Sequence, residues 1–100
     1  MRKPSDIFDK CDSILIQRGE QYGDHRVLGN IMAQMMGAQV RADMSCADAM
    51  MVMAQLKMAR LAMGDDKSED SYIDAINYLA LAWASEENEW TSSGLILVCL

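Results

Sequence analysis

Residues 47–63 have the sequence ADAMMVMAQLKMARLAM. Ala, Met and Leu favour the α-helix, and the segment contains neither Gly nor Pro. Ser45 and Asp48 form a capping box at its start, with Asp in place of the preferred Glu, and Gly64 closes it. Beyond its first turn the segment is apolar nearly all round, interrupted only by Gln55, Lys57 and Arg60. We therefore expect residues 47–63 to form the central, most buried helix of the fold.

The sequence before this segment predicts two further helices, at residues 5–18 and 25–40. The first helix carries four residues at helical spacing, which are Ile7, Cys11, Ile14 and Arg18. Gly19 follows them and is expected to end the helix. Between the two helices, Gly23 permits a positive φ and Asp24 can cap the amides that follow. The second helix carries a wide apolar stripe, formed by Val27, Ile31 and Met35 beside Leu28, Met32 and Met36. A stripe of this width predicts that the second helix packs against more than one other element. Gly29 and Gly37 allow another backbone to come close to this helix.

The sequence after residue 64 predicts a charged turn, a fourth helix and an extended tail. Residues 65–68 form the turn, and Ser68 can cap a helix over residues 69–88, whose first turn carries the acidic charges that a helix start prefers. Residues 91–100 end in an apolar run, which we interpret as a short strand or an extended segment packed on the helices or on another subunit. The predicted fold class is therefore all-α, a compact four-helix domain with antiparallel helices and an extended C-terminal tail.

The composition narrows the class of protein. The chain has 100 residues, of which 51% are hydrophobic, so we expect a single helical domain over residues 1–100 that gains stability as a homodimer or larger homo-oligomer. Its net charge of −6 argues against direct nucleic acid binding, because Lys and Arg are needed to neutralise phosphates. Three cysteines without a CxxC motif argue against a zinc site and indicate free thiols. The chain shows no signal peptide or membrane span, so we expect a cytoplasmic protein.

Four charged side chains form the main candidate centre. Lys57 and Arg60 lie three residues apart on the third helix, whereas Asp70 and Asp74 lie four apart on the fourth. An antiparallel hairpin brings the two pairs together, and charges in an apolar interior must be paired. One interpretation is a buried ion-pair network that sets the helix register. The other is a ligand site, in which the cations hold phosphates or the carboxylates bind Mg²⁺.

Two other clusters are candidates for binding. Amides at the start of the second helix can bind an anion, with the candidate residues Asp24, His25 and Arg26, although local capping is the competing interpretation. Late on the fourth helix, aromatic and acidic residues form a candidate interface: Trp83, Trp90, Glu86, Glu87 and Glu89. This acidic end is interpreted either as a decoy for a basic protein or as a solvated charged face.

The order and spacing of four segments resemble a family of small helical phage and prophage proteins of unknown function. The segments are a YGD turn at residues 22–24, ADAMM at 47–51, LKMARL at 56–61 and DSYIDAINY at 70–78. The resemblance spans residues 18–82. It implies a helical protein encoded by a phage and located in the host cytoplasm, but it implies no activity.

More remotely, the layout is similar to the all-α nucleoside-triphosphate pyrophosphohydrolases of the MazG kind. Their helices bind Mg²⁺ through an EExxE motif and an ExxD motif, and the resemblance transfers at most Asp70 and Asp74 to the second motif. At the place of the first motif this chain has AQLKM at residues 54–58, without a carboxylate. Lys57 and Arg60 would then stand where the metal lies, which leaves a phosphate-binding or structural site.

These observations lead to three functional hypotheses. The preferred one is a non-catalytic phage accessory protein that binds a protein partner or a nucleotide through the four-residue centre and needs no cofactor. The second is a Mg²⁺-dependent nucleotide pyrophosphohydrolase, in which Asp70 and Asp74 hold the metal, helped by Glu69 or by Glu20 and Asp24. The third is an acidic decoy that binds a basic host protein.

Overall fold

The structure is a computed structural model, and it describes residues 2–64 and 69–88, apart from the side chain of residue 22. These residues form four α-helices and no strand, which confirms the predicted all-α class. The helices are α1 at Pro4–Tyr22, α2 at His25–Val40, α3 at Cys46–Met63 and α4 at Glu69–Glu87. The predicted turn at residues 65–68, with its Ser68 cap, and the predicted tail at 91–100 lie outside the described residues.

The predicted start signals of α2 and α3 are confirmed. The Asp24 carboxylate accepts a hydrogen bond of 2.8 Å from the backbone N–H of Arg26. Ser45 and Asp48 form a reciprocal capping box, in which each side chain accepts from the other residue's backbone N–H at 3.0 Å. These contacts satisfy amides that would otherwise lack a partner at a helix start. Gly64 follows α3 in the left-handed conformation, with a φ of 83°.

The predicted end of α1 at Gly19 is wrong, because the helix continues to Tyr22. A glycine inside a helix costs only about 1 kcal/mol relative to alanine, which the neighbouring turns can offset. The chain leaves the helix at Gly23, where φ is 93° and the backbone N–H donates to the carbonyl of Gly19 at 2.9 Å. The helix α1 therefore ends at Gly23, where φ is positive, and not at Gly19.

The helices make their main contacts in the spatial order α1, α4, α3, α2. α3 and α4 form an antiparallel hairpin, α2 packs on α3, and α1 packs on α4. The buried core of the hairpin consists of Cys46, Ala47, Met50, Leu81 and Ala82, with Leu15 and Tyr78 packed against it. Cys11 and Cys46 are free and buried, as expected for thiols that act as small core residues, and burial raises the pKa of both thiols.

The expectation that α3 is buried on nearly all sides is wrong. One face is buried, but several large apolar side chains on the other face are exposed: Met51, Val52, Leu56, Met58 and Met63. The reason is that α2 approaches α3 at Cys46 and Met50, in its first two turns, and α4 covers only one side. No helix within the described ranges is long and apolar enough to cross a membrane.

Candidate functional site

A buried carboxylate lies at the centre of the candidate site. Asp74 on α4 is only 6% exposed, and a cation faces each of its two oxygens. The Lys57 ammonium lies 3.0 Å from Oδ2, and the Arg18 guanidinium donates to Oδ1 through Nη1. An unpaired carboxylate at this depth would be strongly destabilising, so these contacts explain how the fold tolerates the charge.

The two cations differ in how much solvent they meet. The Lys57 side chain is 18% exposed. The Arg18 side chain is 40% exposed, and it reaches Asp74 from the last turns of α1. Lys57 is therefore the more enclosed partner of Asp74, whereas Arg18 presents its remaining N–H donors to solvent.

Only two of the four side chains of the predicted centre are in contact with each other. Lys57 and Asp74 meet as expected, but Arg60 and Asp70 are exposed and form no ion pair within the described residues. Three residues along a helix turn it by about 300°, so Arg60 points about 60° away from Lys57. Asp70 lies in the first turn of α4, where its side chain is open to solvent. The expectation that these two side chains join the pair was therefore wrong.

Arg18 belongs to this centre but was not among the site residues predicted from the sequence. It occupies the fourth position of the α1 stripe, at helical spacing from Cys11 and Ile14. A cation on the buried face of a helix needs a carboxylate partner on a neighbouring element. That signal was present in the sequence, and Asp74 is the residue that satisfies it.

A cavity of about 320 Å³ opens beside this pair. Its lining is mainly apolar and aromatic, with a few polar groups: Leu15, Arg18, Gly23, His25, Leu28, Met50, Asp74, Asn77, Tyr78 and Leu81. Asn77 donates to the carbonyl of Cys11 at 3.0 Å, and this buried hydrogen bond ties α4 to α1. The His25 ring lies with Nε2 3.4 Å from the carbonyl of Leu15, which joins the start of α2 to α1. Three helices thus hold the polar groups of the cavity in place.

Comparison with known proteins places the chain in a family. Residues 6–86 match the family described as "Domain of unknown function (DUF6378)". The chain belongs to this family. No curated protein and no solved structure matches it. Arg18, Lys57, Asp74 and all the residues that line the cavity lie within the matched range, so the Asp74 centre and its cavity are part of the DUF6378 domain itself.

In this DUF6378 domain the predicted anion site is occupied by local contacts. Asp24 caps α2, and its carboxylate also pairs with the Arg26 guanidinium at 3.0 Å. The hydrogen bonds from Arg26 lower the pKa of Asp24 below its ordinary value and raise the pKa of Arg26. His25 points instead toward the cavity. The structure therefore separates His25 from the other two residues of this cluster.

The predicted aromatic and acidic interface is only partly within the described residues. Trp83 is 69% exposed, and its indole N–H donates to Glu87 at 3.1 Å, one helical turn away. Glu86 is also exposed. The remaining two members, Glu89 and Trp90, lie outside the described residues.

The residues present do not fit the Mg²⁺ site that the remote resemblance implies. Both oxygens of Asp74 already face cations, and the exposed Asp70 is not part of that cluster. Among the residues that the structure covers, no three His, Cys, Asp or Glu side chains are grouped as metal ligands. A hard divalent cation needs several free oxygens, whereas this centre presents ammonium and guanidinium groups.

Proposed function

We propose that this DUF6378 domain is a non-catalytic binding protein, and that its cavity takes a small ligand with an anionic group, of the nucleotide class. The observation that carries the proposal is the Arg18 guanidinium, which lines the cavity, is 40% exposed and donates to Asp74 through Nη1. Lys57 is not among the residues that line the cavity, and it pairs with the other oxygen of Asp74 at 3.0 Å. Asp74 can therefore stay paired while the remaining Arg18 donors meet an anionic group.

The cavity lining suits a ligand with a flat, partly apolar body. Its volume lies at the lower end of the range of small-molecule sites, about 300 to 1,000 Å³. Tyr78 offers an aromatic ring, and Leu15, Met50 and Leu81 offer apolar surface. At the edge, Arg18 uses Nη1 for Asp74 and keeps its other donors for a phosphate oxygen. Lys57 continues to neutralise Asp74 when Arg18 turns toward the ligand.

We also propose a source, a location and an oligomeric state for this binding protein. A phage-encoded accessory protein in the host cytoplasm rests on the sequence resemblance, and a homodimer or larger homo-oligomer is supported by the exposed apolar side chains of α2 and α3. The pyrophosphohydrolase alternative lacks a fitting metal centre in the described residues. The acidic decoy alternative has two exposed glutamates within those residues, Glu86 and Glu87.

The test is a thermal-shift and calorimetric titration with a panel of nucleoside mono-, di- and triphosphates, with and without Mg²⁺. A ligand that binds the folded state raises stability by about 2.7 kcal/mol at a hundred times its Kd. We expect at least one nucleotide to raise Tm without requiring Mg²⁺. Arg18→Gln is expected to weaken its affinity about tenfold or more, because the charge-assisted donor is lost.

Arg60→Gln is the matched control, since it removes an exposed cation one turn from Lys57. It should leave the affinity unchanged. If no nucleotide raises Tm, or if both variants lower the affinity equally, the cavity is not a nucleotide site. Capture of a basic protein that is lost when Glu86 and Glu87 are neutralised would favour the decoy instead.

A further inference from the structure

Asn77 is a buried amide on the wall of the cavity. It is 8% exposed, it lines the cavity from α4, and its Nδ2 donates to the backbone carbonyl of Cys11 at 3.0 Å. A carbonyl oxygen can only accept a hydrogen bond, so the nitrogen of the amide must be the end that faces Cys11. This contact therefore fixes the orientation of the side chain, and Oδ1 is its other end.

The oxygen end of Asn77 is not paired by the described residues. The hydrogen bond to Cys11 is the one that the structure gives this side chain there, and it uses the nitrogen. Buried amide oxygens are normally hydrogen-bonded, because leaving one unpaired is unfavourable. Since Asn77 lines the cavity, a donor group of a bound ligand can pair with this oxygen.

The polar neighbour of Asn77 on α4 is also an acceptor. Asp74 lies three residues earlier, on the same face of the helix, and its carboxylate group belongs to the same cavity wall. An amino group on an aromatic ring brings two N–H donors to such a wall, whereas a keto oxygen sets acceptor against acceptor. The wall formed by Asp74 and Asn77 therefore favours a ligand with an amino group at this place.

From this arrangement we propose that Asn77 selects the base of the ligand, by accepting a hydrogen bond through Oδ1 from an exocyclic amino group of the adenine or cytosine kind. This inference rests on the proposed nucleotide site, in which Arg18 meets the phosphate. Arg18 is held at Asp74, one helical turn from Asn77, so the contacts for phosphate and base lie side by side along α4.

The size and charge of the cavity indicate which nucleotides are the right probes. Its volume of about 320 Å³ is near the lower limit for small-molecule sites. Arg18 is the one lysine or arginine among the described residues that line it. A single phosphate group is sufficient for a single guanidinium, so nucleoside monophosphates are the matching ligands.

Two pairs of nucleotides test the proposal on the unmodified chain. AMP and IMP carry an amino or a keto group at the same ring position, and CMP and UMP differ in the same way. Isothermal titration calorimetry without Mg²⁺ measures the four Kd values. In each pair that binds, we expect the amino member to bind about tenfold more tightly, because the keto member leaves the oxygen of Asn77 unpaired in a buried place.

The decisive variant is Asn77→Leu, and Asn30→Leu is its matched control. Asn30 is also buried, at 6% exposed, and its Nδ2 donates to the carbonyl of Arg26 at 2.9 Å, but it is not among the residues that line the cavity. Each substitution removes one side-chain hydrogen bond to a helix carbonyl, and circular dichroism checks that both variants fold. Asn77→Leu should bring the ratio of the Kd values in each pair to about one, whereas Asn30→Leu should keep the ratio of the parent.

Three results would overturn the proposal. Equal Kd values within both pairs would exclude selection by Asn77 and leave the proposed nucleotide site intact. An Asn77→Leu variant that keeps the preference of the parent would assign the selection to another residue. Binding of none of the four nucleotides would overturn the nucleotide site together with this inference. If Asn77→Leu does not fold, the two pairs measured on the parent still decide.

Discussion

At the scale of single residues, the Asp74 centre shows why similar side chains take different roles. Asp70 and Asp74 are one helical turn apart, yet Asp70 is exposed and Asp74 is buried between two cations. On α3, Lys57 is likewise largely buried, whereas Arg60 is exposed. Sequence spacing indicated the correct helices, but the depth of each side chain depends on where the neighbouring helix ends.

We expect Asp74→Ala to lower the free energy of unfolding by about 3 kcal/mol. The substitution leaves the largely buried Lys57 ammonium without a partner, and removing one member of a buried pair typically costs 3 to 5 kcal/mol. The figure lies at the low end because Arg18 is 40% exposed and water can reach it. Urea denaturation at neutral pH measures the difference.

Asp70→Ala is the control, because it removes an exposed carboxylate from the same face of the same helix. Its effect should stay within about 0.5 kcal/mol of the parent. A variant of Asp74 that is as stable as the Asp70 variant would show that the Asp74 carboxylate is solvated.

At the scale of the helices, the glycines of α1 and α2 have different roles. Gly19 lies inside α1, and a Cβ there would meet the His25 ring at 3.4 Å, an ordinary contact. Gly29 lies inside α2, and a Cβ there would overlap with Cys46 Sγ and lie 2.8 Å from Met50 Cε. Of these two glycines, Gly29 is the one that packing requires, because the side chains facing it are buried in the core of the hairpin.

Gly29→Ala should therefore destabilise the fold by at least about 1 kcal/mol, despite the better helix propensity of alanine, since overpacking forces side chains in a dense core to move. Gly19→Ala, the matched substitution, should be neutral or stabilising by up to about 1 kcal/mol. Thermal unfolding followed by circular dichroism compares the two variants. If Gly29→Ala is the more stable of them, the close approach of α2 to α3 is not as described.

The cap of α2 is expected to make stability depend on pH. Asp24→Ala should cost about 1 kcal/mol at neutral pH, because the backbone N–H of Arg26 loses its acceptor. Arg26 lowers the pKa of Asp24 in the folded state, so the contribution is complete above the ordinary carboxyl pKa and is lost as pH falls through the lowered value. The parent and the variant should therefore differ in Tm at about pH 6, and the difference should narrow as pH falls below the ordinary carboxyl value of about 3.9.

Asp24→Ser provides the control for this prediction, since serine keeps the capping oxygen without the charge. Its Tm should lie near that of the parent at about pH 6. A gap between parent and Asp24→Ala that widens on acidification would contradict the assigned direction of the pKa shift.

At the scale of the whole molecule, the four short helices bury only some of their large apolar side chains. The large exposed side chains lie on all four helices, including Phe8, Ile31, Leu56 and Trp83. A chain of this length buries a modest fraction of its surface, and the space inside is taken largely by small residues such as Ala33, Ala49 and Ala54. The cavity edge at Arg18 is one surface of the described residues where a partly exposed polar group lies beside apolar lining.

Local signals in the sequence were sufficient for much of the fold. Helix propensity, apolar spacing and the caps at Asp24 and Ser45 predicted four helices and most of their bounds, because these features act within a few residues. The pairing of Lys57 with Asp74 was also predictable, since a short connection between α3 and α4 makes them antiparallel neighbours. The free, buried state of Cys11 and Cys46 followed from their spacing and composition.

Contacts between distant parts of the chain decided the rest. Arg18 reaches Asp74 across 56 positions, and no periodicity specifies that α1 lies on α4. The apolar stripes of α2, α3 and α4 predicted that these helices are partly buried, but they did not show which face of each helix is buried. On α2 the buried face carries small residues such as Gly29, because small residues allow a closer contact between helices. The side of each helix that meets a neighbour is set by the competition of all faces for one small core, which is a property of the assembled molecule.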